Sequence, residues 1–570
     1  GIDMERGEVQ TPYGVVSVDN GVFAIPNTAK RPADGLIELQ VSGPAAALGA
    51  IADAEPMRAL ERREMTPAKL SGSGSASISV RMPLREGLTD ADVDWKVVVD
   101  MKNVGSTEPV EGHTVSAANV ALTVTPDEVS IYGKAKIDGA NADVAMAFPL
   151  SGGSGSDRRV RLLLDDEARK RFGVGLDNVI SGTVSALVSD TADGKGQHYD
   201  LDLRRARVAL PGTGWAKGIG VPASLTFDMK PSSRGYAIEN LVLKGDGFGF
   251  SGSAELDETY NLASADITKL SLRAGDSVAV KMTRSKNGYA VTVRGSSFDM
   301  RGMMGQVRDR NDQAGGFPDI ALDAEVGRIV GFNQEEIRNA ALTLVSVGGA
   351  TQKIAVSGKL GDSDIRLNYA VTPSGTTLEA LATDGGRLLR FTDLYTRMAG
   401  GRGTIRGEAG RSGPMAGVIE VDRFDVVNEP AMERVAVNTS QSGTSSSFNP
   451  RRVPFDRMVA RFRRTDRVIT IEDALLAGAS VGATFNGRYD TSSTHVSLAG
   501  TYLPAYAFNN LFSRVPVLGF ALGGGMREGL IGVTFKIDGP IAQPQVFVNP
   551  LSAVAPGIFR KIFEFQRPTQ

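Results

Sequence analysis

Three histidines, His113, His198 and His495, are the first side chains of this chain that could do acid–base or metal chemistry. Each stands alone in the sequence, without a second His nearby, and the chain has no cysteine. Metal sites in proteins need several ligands at characteristic spacings. We therefore expect no metal site, no disulfide and no thiolate chemistry.

A glycine-rich run from Gly247 to Gly252 matches the G-x-G-x-x-G pattern of dinucleotide-binding loops. That function requires a strand before the loop and a helix after it, with the helix N-terminus facing the pyrophosphate. The residues that follow, Ser253 to Leu256, continue instead as a strand pattern. The run predicts a sharp bend or bulge between strands, and we expect no cofactor.

Paired carboxylates occur at Asp165–Asp166 and at Glu335–Glu336. Acidic residues favour the positive end of a helix dipole, so both pairs are predicted to lie at helix starts. A glycosidase would need two carboxylates at a defined separation, which a sequence does not give. Without a phosphate-binding loop or a G-x-S-x-G motif, the chain is predicted to have no catalytic residues and not to be an enzyme.

The short basic run from Arg461 to Arg464 contains one aromatic residue, Phe462. It fits the solvated face of a strand, and it also fits contact with anionic lipid head groups. Over the whole chain 63 Lys and Arg balance 65 Asp and Glu. Because no basic excess remains to neutralise phosphates, nucleic acid is not expected as a partner.

The elements that carry these residues are mostly strands. Aromatic residues are only 6% of the chain while glycine contributes 67 residues, which favours many short strands with tight turns. Runs such as Val278–Met282 and Tyr289–Val293 alternate apolar and polar residues with the period of a strand. Short helices are predicted near 45–65 and 165–172, with a soft division of the chain into 1–315 and 316–570.

A weak internal repeat links distant strands. The segment from Ile238 to Leu243 resembles the segment from Ile471 to Leu476, and the stretches that begin at Asn339 and Asn119 repeat its middle. Spacings between the copies are unequal, so the repeat is degenerate and does not indicate a strict solenoid. Alternating strands must cover their apolar face, which a sandwich, a closed barrel or a groove around an apolar ligand could each achieve.

The two ends of the chain carry segments with a more specific pattern. Near the N-terminus a strand, Gly43–Pro44, a helix, a Glu-Pro step, a Ser-Gly run and another strand follow in order. The C-terminal region holds several short characteristic strings in a fixed order, namely Gly500–Pro504, Val515–Gly519, Phe535–Pro540, Val548–Leu551 and Pro556–Gly557. Both ends resemble AsmA-like proteins, especially the YhdP-like branch, and Leu388–Phe391 is similar to a helix of that family.

The resemblance implies an elongated, curled antiparallel β-sheet that forms a hydrophobic groove. It also implies a periplasmic protein that is tethered to the inner membrane of a Gram-negative bacterium and transports phospholipid to or from the outer membrane. The chain begins at Gly1 and shows neither a signal peptide nor a run of 18 apolar residues. We therefore expect the membrane tether to lie in an upstream segment absent from this chain.

Two sets of residues are predicted to contact lipid or membrane. The first set consists of apolar strand residues that alternate with polar neighbours, and it is expected to line the groove: Ile37, Leu39, Val41, Val97, Val99, Val278, Val280, Met282, Val291, Val293, Ile469, Ile471, Val533, Phe535 and Ile537. The second set lies in the apolar end segment 502–520, which either plugs the end of the sheet or dips into a membrane interface: Tyr506, Phe508, Leu511, Phe512, Arg514, Leu518 and Phe520.

Three other functions remain open at this stage. A TamB-like helper for outer-membrane protein assembly would offer its sheet edge to substrate strands. A passive β-rich scaffold would have a filled, dry interior. A carbohydrate enzyme on a β-helix would need a close pair of carboxylates.

Overall fold

The chain is mostly β-structure with a few short helices, as the alternation predicts. The computed structural model describes residues 1–55, 58–60, 65–89, 92–110, 112–150, 157–174, 176–286, 288–308, 319–411, 413–430, 432, 449–479, 481–504, 533–541 and 544–549. Two compact units share the chain. Unit 1 comprises residues 1–211 and 216–263, and unit 2 comprises 212–215 and 264–570. The predicted division at 315/316 lies outside the described residues.

Unit 1 is built from short strands joined mainly by tight turns. Its strands are β1 (Ile2–Met4), β2 (Gly7–Thr11), β3 (Gly14–Ala24), β4 (Asp34–Pro44), β5 (Leu70–Pro83), β6 (Asp94–Ser106), β7 (Val115–Val124), β8 (Glu128–Ile137), β9 (Ala140–Pro149), β10 (Asp157–Leu164), β11 (Ile180–Gly182), β12 (Val184–Asp190), β13 (Gln197–Asp202), β14 (Ala206–Leu210), β15 (Trp215–Lys217, whose first residue belongs to unit 2), β16 (Ala223–Ser232), β17 (Gly235–Gly245) and β18 (Gly249–Leu256).

Strands of unit 1 pair in an almost sequential antiparallel order. Both β1 and β2 pair with β3, after which each strand pairs with the next as far as β10. The order then continues from β10 through β12, β13, β16 and β17 to β18. Strands β11 and β14 pair with each other in a separate small sheet. Such meandering antiparallel order is typical of chains whose strands are joined by short hairpin turns.

Unit 2 holds the remaining strands. They are β19 (Leu262–Ser271, part of unit 2 from Ser264), β20 (Ser277–Arg284), β21 (Gly288–Asp299), β22 (Asp319–Val330), β23 (Glu336–Val347), β24 (Ala350–Leu360), β25 (Ser363–Thr372), β26 (Gly375–Ala382), β27 (Met398–Ala409), β28 (Met415–Val427), β29 (Arg452–Thr465), β30 (Val468–Ala477), β31 (Val481–Asp490), β32 (His495–Pro504), β33 (Val533–Pro540) and β34 (Gln545–Asn549).

Each strand of unit 2 pairs with the next one along the chain, from β19 to β34. The pairs are antiparallel except that β21 and β22 run parallel. A parallel pair requires a crossover connection. The described part of that connection contains helix α3 (Arg301–Arg308).

The other helices are α1 (Ala45–Ala52), α2 (Asp166–Arg171) and α4 (Gly385–Phe391), with a 3-10 turn at Pro67–Lys69. Side chains cap two of them, because Asp165 accepts a hydrogen bond from the Ala168 amide and Asp384 accepts one from the Arg387 amide. The structure confirms a helix start at Asp165–Asp166. At Glu335–Glu336 the prediction is wrong, since strand β23 begins there and Glu335 instead binds Arg390 at 2.9 Å.

Bulges interrupt several strands at related positions. Asn240, Asn339 and Asp473 have φ angles of 51°, 50° and 50°, and the strand register shifts at each of them. Asn and Asp tolerate this left-handed conformation better than most residues do. The weak sequence repeat therefore marks bulged strands, and bulges bend a strand and strengthen its right-handed twist.

Candidate functional site

Strand pairing in unit 2 aligns apolar residues into continuous rows. Residues directly opposite each other in neighbouring strands share one face of a sheet. The central row, as we call it, runs across β19 to β29 with members that are all aliphatic: Ile267, Val280, Val293, Ala324, Leu342, Val356, Leu367, Ala380, Ile405, Ile419 and Ala460.

A second row lies two residues away along each strand and continues to β34. Its members are Ala265, Met282, Val291, Leu322, Leu344, Ile354, Tyr369, Leu378, Gly407, Gly417, Phe462, Ile471, Gly487, Leu498, Ile537 and Val546. Neither row contains a charged side chain. Together the two rows form an uninterrupted apolar surface, which we call the apolar face of unit 2.

The opposite face of the same strands is polar. Asp266, Lys281, Thr292, Asp323 and Thr343 face one another across β19 to β23, each one residue away from the central row. Lys281 Nζ lies 3.1 Å from a carboxylate oxygen of Asp266, and the lysine side chain is 70% exposed. Alternation along the sequence therefore separates the two faces as predicted.

Central-row side chains are only partly covered. From Ile267 to Ile419 every member is half-buried, and only Ala460 at the end of the row is buried. A second packed layer normally buries the inner face of a sheet completely. Within the described part of unit 2, the middle of the apolar face therefore keeps accessible apolar area.

One end of the strands in unit 2 is closed by helices. Val278, Leu360 and Phe391, the last residue of α4, belong to a buried cluster against which Met304 of α3 packs. A Cβ atom at Gly331 would lie 2.2 Å from the Phe391 ring, so glycine at 331 allows this ring to approach the strand end. Arg390 of α4 binds Glu335 at 2.9 Å and so fixes the helix across the strand end.

Unit 1 repeats this organisation. Its clearest row crosses β8, β9, β10, β12, β13, β16, β17 and β18 and is wholly apolar: Ala135, Ala142, Leu162, Ala186, Leu201, Leu225, Leu243 and Phe250. Phe172, which follows α2, packs against the buried cluster of Ala142, Val160, Leu162 and Ala186. In this unit too, a short helix lies beside the buried part of the apolar face.

The predicted groove residues all lie in strands whose pairing brings them onto these faces. In unit 1, Ile37 of β4 faces Val80, Leu39 faces Ile78, and Val41 faces Ala76. On the next strand, Val97 faces Ile78 and Val99 faces Ala76. In unit 2, Val280 faces Val293 and Met282 faces Val291. Ile471 and Ile537 belong to the second row, while Ile469 and Phe535 lie on the same face in adjacent rows.

Coverage of the predicted groove residues is uneven. Val278 and Val291 are buried, at 4% and 7% exposure, whereas Val280, Met282 and Val293 are half-buried. Val278 belongs to the helix-closed end of the strands. The side chain of Val533 and the whole membrane-interface set, Tyr506, Phe508, Leu511, Phe512, Arg514, Leu518 and Phe520, lie outside the described residues.

Each histidine lies beside a single aspartate. His113 Nδ1 is 2.6 Å from Asp138, His198 Nδ1 is 2.6 Å from Asp228, and His495 Nε2 is 3.6 Å from Asp538. Hydrogen bonds from Asn240 and His198 lower the pKa of the Asp228 carboxyl below its usual value. The three imidazoles are exposed, and the pairs fit surface electrostatics.

Other motifs of the sequence have structural roles. Gly247 lies in the hairpin between β17 and β18, and β18 continues to Leu256, so no helix follows the glycine-rich run. Among the described residues no group of three or more potential acidic or histidine ligands could hold a metal ion. In that same part of the chain, no helix combines the length and hydropathy needed to cross a bilayer.

Comparison of the chain with models of protein families, with curated proteins and with solved structures gave no match. The functional argument therefore rests on the geometry of the apolar faces.

Sequence reasoning missed the closure of the strands by α4. Phe391 packs beside Val278 although more than a hundred positions separate them in the chain. A signal for this contact exists only in the helix itself, where Leu388 and Phe391 lie on one side of a single turn at i, i+3 spacing.

Proposed function

We propose that this chain is a non-enzymatic lipid conduit of the AsmA-like, YhdP-like kind. It carries phospholipid across the periplasm between the inner and outer membranes and thereby supports envelope integrity. The resemblance of the chain ends supports the periplasmic location. The observation that carries the lipid function is the charge-free apolar face of unit 2, whose central row stays partly exposed.

The physical reason is the transfer free energy of acyl chains. Moving an acyl chain out of water is favourable by about 0.8 kcal/mol per CH₂. A surface without charges offers the same environment at every strand, so a chain can move from one strand to the next without crossing a polar barrier. Such transport requires neither a catalytic residue nor a cofactor.

Partial exposure supports this function over that of a passive scaffold. In a scaffold with a dry interior, the central row would be as buried as Leu360 of the helix-closed cluster, which has 0% exposure. Leu342 and Val356 of the central row are half-buried instead. A ligand that covers these side chains would remove the remaining apolar area from water, which is favourable by about 25 cal/mol per Å².

Lipid extraction tests the proposal directly. The chain, purified from a Gram-negative host without strong detergent, should carry phospholipid in at least equimolar amount when its extract is quantified by mass spectrometry. The matched control is the same chain with Val280→Glu and Leu342→Glu, which places two carboxylates in the central row and should reduce the bound lipid by more than about tenfold. A wild-type chain with no more lipid than the double variant would contradict the proposal.

One observation favours the TamB-like helper as a second candidate. Strands β1 and β2 pair only with β3 among the described strands, and Ile2, Met4 and Val9 on them are 70%, 49% and 42% exposed. An apolar strand with a free edge can pair with an extended segment of another chain. A photo-crosslinker at Val9 that captures unfolded β-barrel protein, with no lipid captured at Val280, would favour the helper.

A further inference from the structure

The apolar face of unit 2 is polarised along the direction of its strands. Neither the central row nor the second row contains a charged residue. The first charges appear in the next row toward the hairpin turns, at Arg284 of β20 and Arg464 of β29. We call this next row the turn-side row. Its members include Arg284, Tyr289, Ile320, Met415, Arg464, Ile469 and Tyr489.

Arg464 lies in the turn-side row, on the same side of the sheet as the apolar face, and has no acidic partner there among the described residues. Its strand position faces Met415 on one side and Ile469 on the other, so the three residues share a face. Its Nε donates a hydrogen bond to the Asp466 carbonyl at 3.1 Å, and it forms no ion pair within the described part of the chain. The guanidinium therefore keeps donors that a phosphate could use.

The neighbouring arginine provides an internal comparison. Arg463 lies on the polar face, and its Nε donates to Glu472 at 3.2 Å. Two adjacent arginines with similar exposure thus differ in their partners. One is neutralised by a carboxylate, while the other stands at the margin of an apolar surface.

Tyrosines accompany both arginines in the turn-side row. Tyr289 faces Arg284, and Tyr489 faces Ile469, the neighbour of Arg464. Tyrosine has an apolar ring and a hydroxyl donor, so it suits a boundary between acyl chains and polar head groups. Burial raises the pKa of the Tyr489 phenol above its usual value.

The opposite end of the strands cannot accept a head group. Val278, Leu360 and Phe391 belong to a buried apolar cluster at this end of β20 to β26, and Val453 and Phe455 of β29 belong to another. A charge without a partner is strongly disfavoured in such surroundings. From Val326, at the edge of the first cluster, to Ile320 in the turn-side row, β22 rises about 20 Å. That length exceeds the roughly 15 Å of hydrocarbon in one leaflet of a bilayer.

We infer that unit 2 holds phospholipid in one orientation, with the acyl chains across the central and second rows and the phosphate at the turn-side row, bound by Arg464. This inference rests on the proposed function, because it assigns an orientation and a head-group contact to the same lipid surface. The ligand is therefore inferred to be a lipid with both acyl chains and an anionic phosphate, and not simply any apolar molecule.

The test compares two fluorescent lipids that differ in the phosphate. NBD-labelled phosphatidylglycerol and NBD-labelled diacylglycerol are titrated with the full chain carrying Arg464→Gln, Arg464→Lys or the control Arg463→Gln. We expect Arg464→Gln to weaken phosphatidylglycerol binding about fivefold, as for one basic residue at a lipid surface, and to leave diacylglycerol binding unchanged. Arg464→Lys should retain most of the affinity.

Each other result has a definite meaning. Equal losses for Arg464→Gln and Arg463→Gln, or equal losses for the two lipids, would overturn the orientation and leave the conduit standing. A wild-type chain that binds neither lipid would overturn the proposed function itself. Because Arg464 is exposed, its substitution should not unfold the sheet, and circular dichroism of each variant checks this.

Discussion

Val280 and Val293 lie directly opposite each other on β20 and β21, and both side chains remain partly exposed. Ile267 faces Val280 from the other side, so Val280 has apolar neighbours in both directions along the central row. Lys281 projects from the opposite face and pairs with Asp266. This pair of adjacent positions, Val280 and Lys281, provides the most direct test of which face contacts lipid.

A photo-crosslinking amino acid at position 280 should capture lipid, and the same amino acid at position 281 should not. The reason is that Val280 lies on the charge-free face while Lys281 is solvated and ion-paired. Mass spectrometry of the cross-linked chain, irradiated in lipid-containing membranes, measures the outcome. Equal labelling at the two positions would rule out a lipid surface confined to one face.

Substitution with glutamate at positions 280 and 281 should change the amount of bound lipid very differently. Val280→Glu places an unpaired carboxylate among apolar side chains, so we expect bound phospholipid to fall by roughly tenfold. Lys281→Glu replaces an exposed ion pair with a repulsion between two exposed carboxylates, which should cost about 1 kcal/mol of stability and leave bound lipid unchanged. Lipid per chain after purification is the measurement, with thermal unfolding as the control for folding.

Truncation should separate core residues from lining residues. Leu360→Ala removes a side chain with 0% exposure from the helix-closed cluster, and we expect a loss of about 2–5 kcal/mol in the free energy of unfolding. Leu342→Ala acts on a half-buried side chain of the central row and should cost about 1 kcal/mol. Denaturant unfolding of lipid-free chain compares them, and similar losses would mean that the central row is ordinary core.

Alternation in the sequence was sufficient to predict the mostly β fold and the face on which Val280 and Phe535 lie. A period of two fixes the side of the sheet for each residue once a strand forms. It could not predict that Val278 is buried while Val280 is partly exposed. Val278 belongs to a buried cluster with Phe391 of α4 and other residues that come from distant parts of the chain.

The sequence pattern also does not predict the order in which the strands pair or the positions of the bulges. The parallel pair of β21 and β22 depends on the crossover between them, whose hydrophobic pattern is short. Asn240 and Asp473 were recognised as parts of a repeat, but nothing in that repeat indicated a left-handed backbone. Arg464, which forms no ion pair among the described residues, could be recognised only after pairing placed it opposite Met415 and Ile469.

Asp490 should make stability depend on pH in the acid range. Hydrogen bonds from the Ser492 hydroxyl and the Ser492 amide lower the pKa of the Asp490 carboxyl from 3.8 to about 2. Because the folded state has the lower pKa, the carboxylate stabilises the fold fully above pH 3.8, and this contribution is lost as the pH falls to about 2. Asp490→Asn should therefore be less stable than wild type at pH 6 and equal to it near pH 2 in thermal unfolding. A stability difference that does not depend on pH would contradict this role.

The bulge positions Asn240 and Asp473 form a matched pair for the last prediction. Both have left-handed backbones, with φ angles of 51° and 50°, but their side chains differ in contacts. Asn240 donates a hydrogen bond to Asp228 at 2.7 Å, and Asp228 also lies 2.6 Å from His198. Within the described residues the Asp473 side chain makes no hydrogen bond or ion pair.

Glycine and alanine substitutions should therefore separate backbone strain from side-chain contact. Asp473→Gly should leave stability within about 0.5 kcal/mol of wild type, whereas Asp473→Ala should cost about 1 kcal/mol because alanine disfavours the left-handed region. At position 240 even glycine should cost about 1 kcal/mol, since the bond to Asp228 is lost, and alanine should cost about 2 kcal/mol. The difference between alanine and glycine should be the same at both sites, because the backbone conformation is the same. Denaturant unfolding of the four variants measures it, and a difference near zero at either site would mean that the bulge relaxes when its residue is replaced.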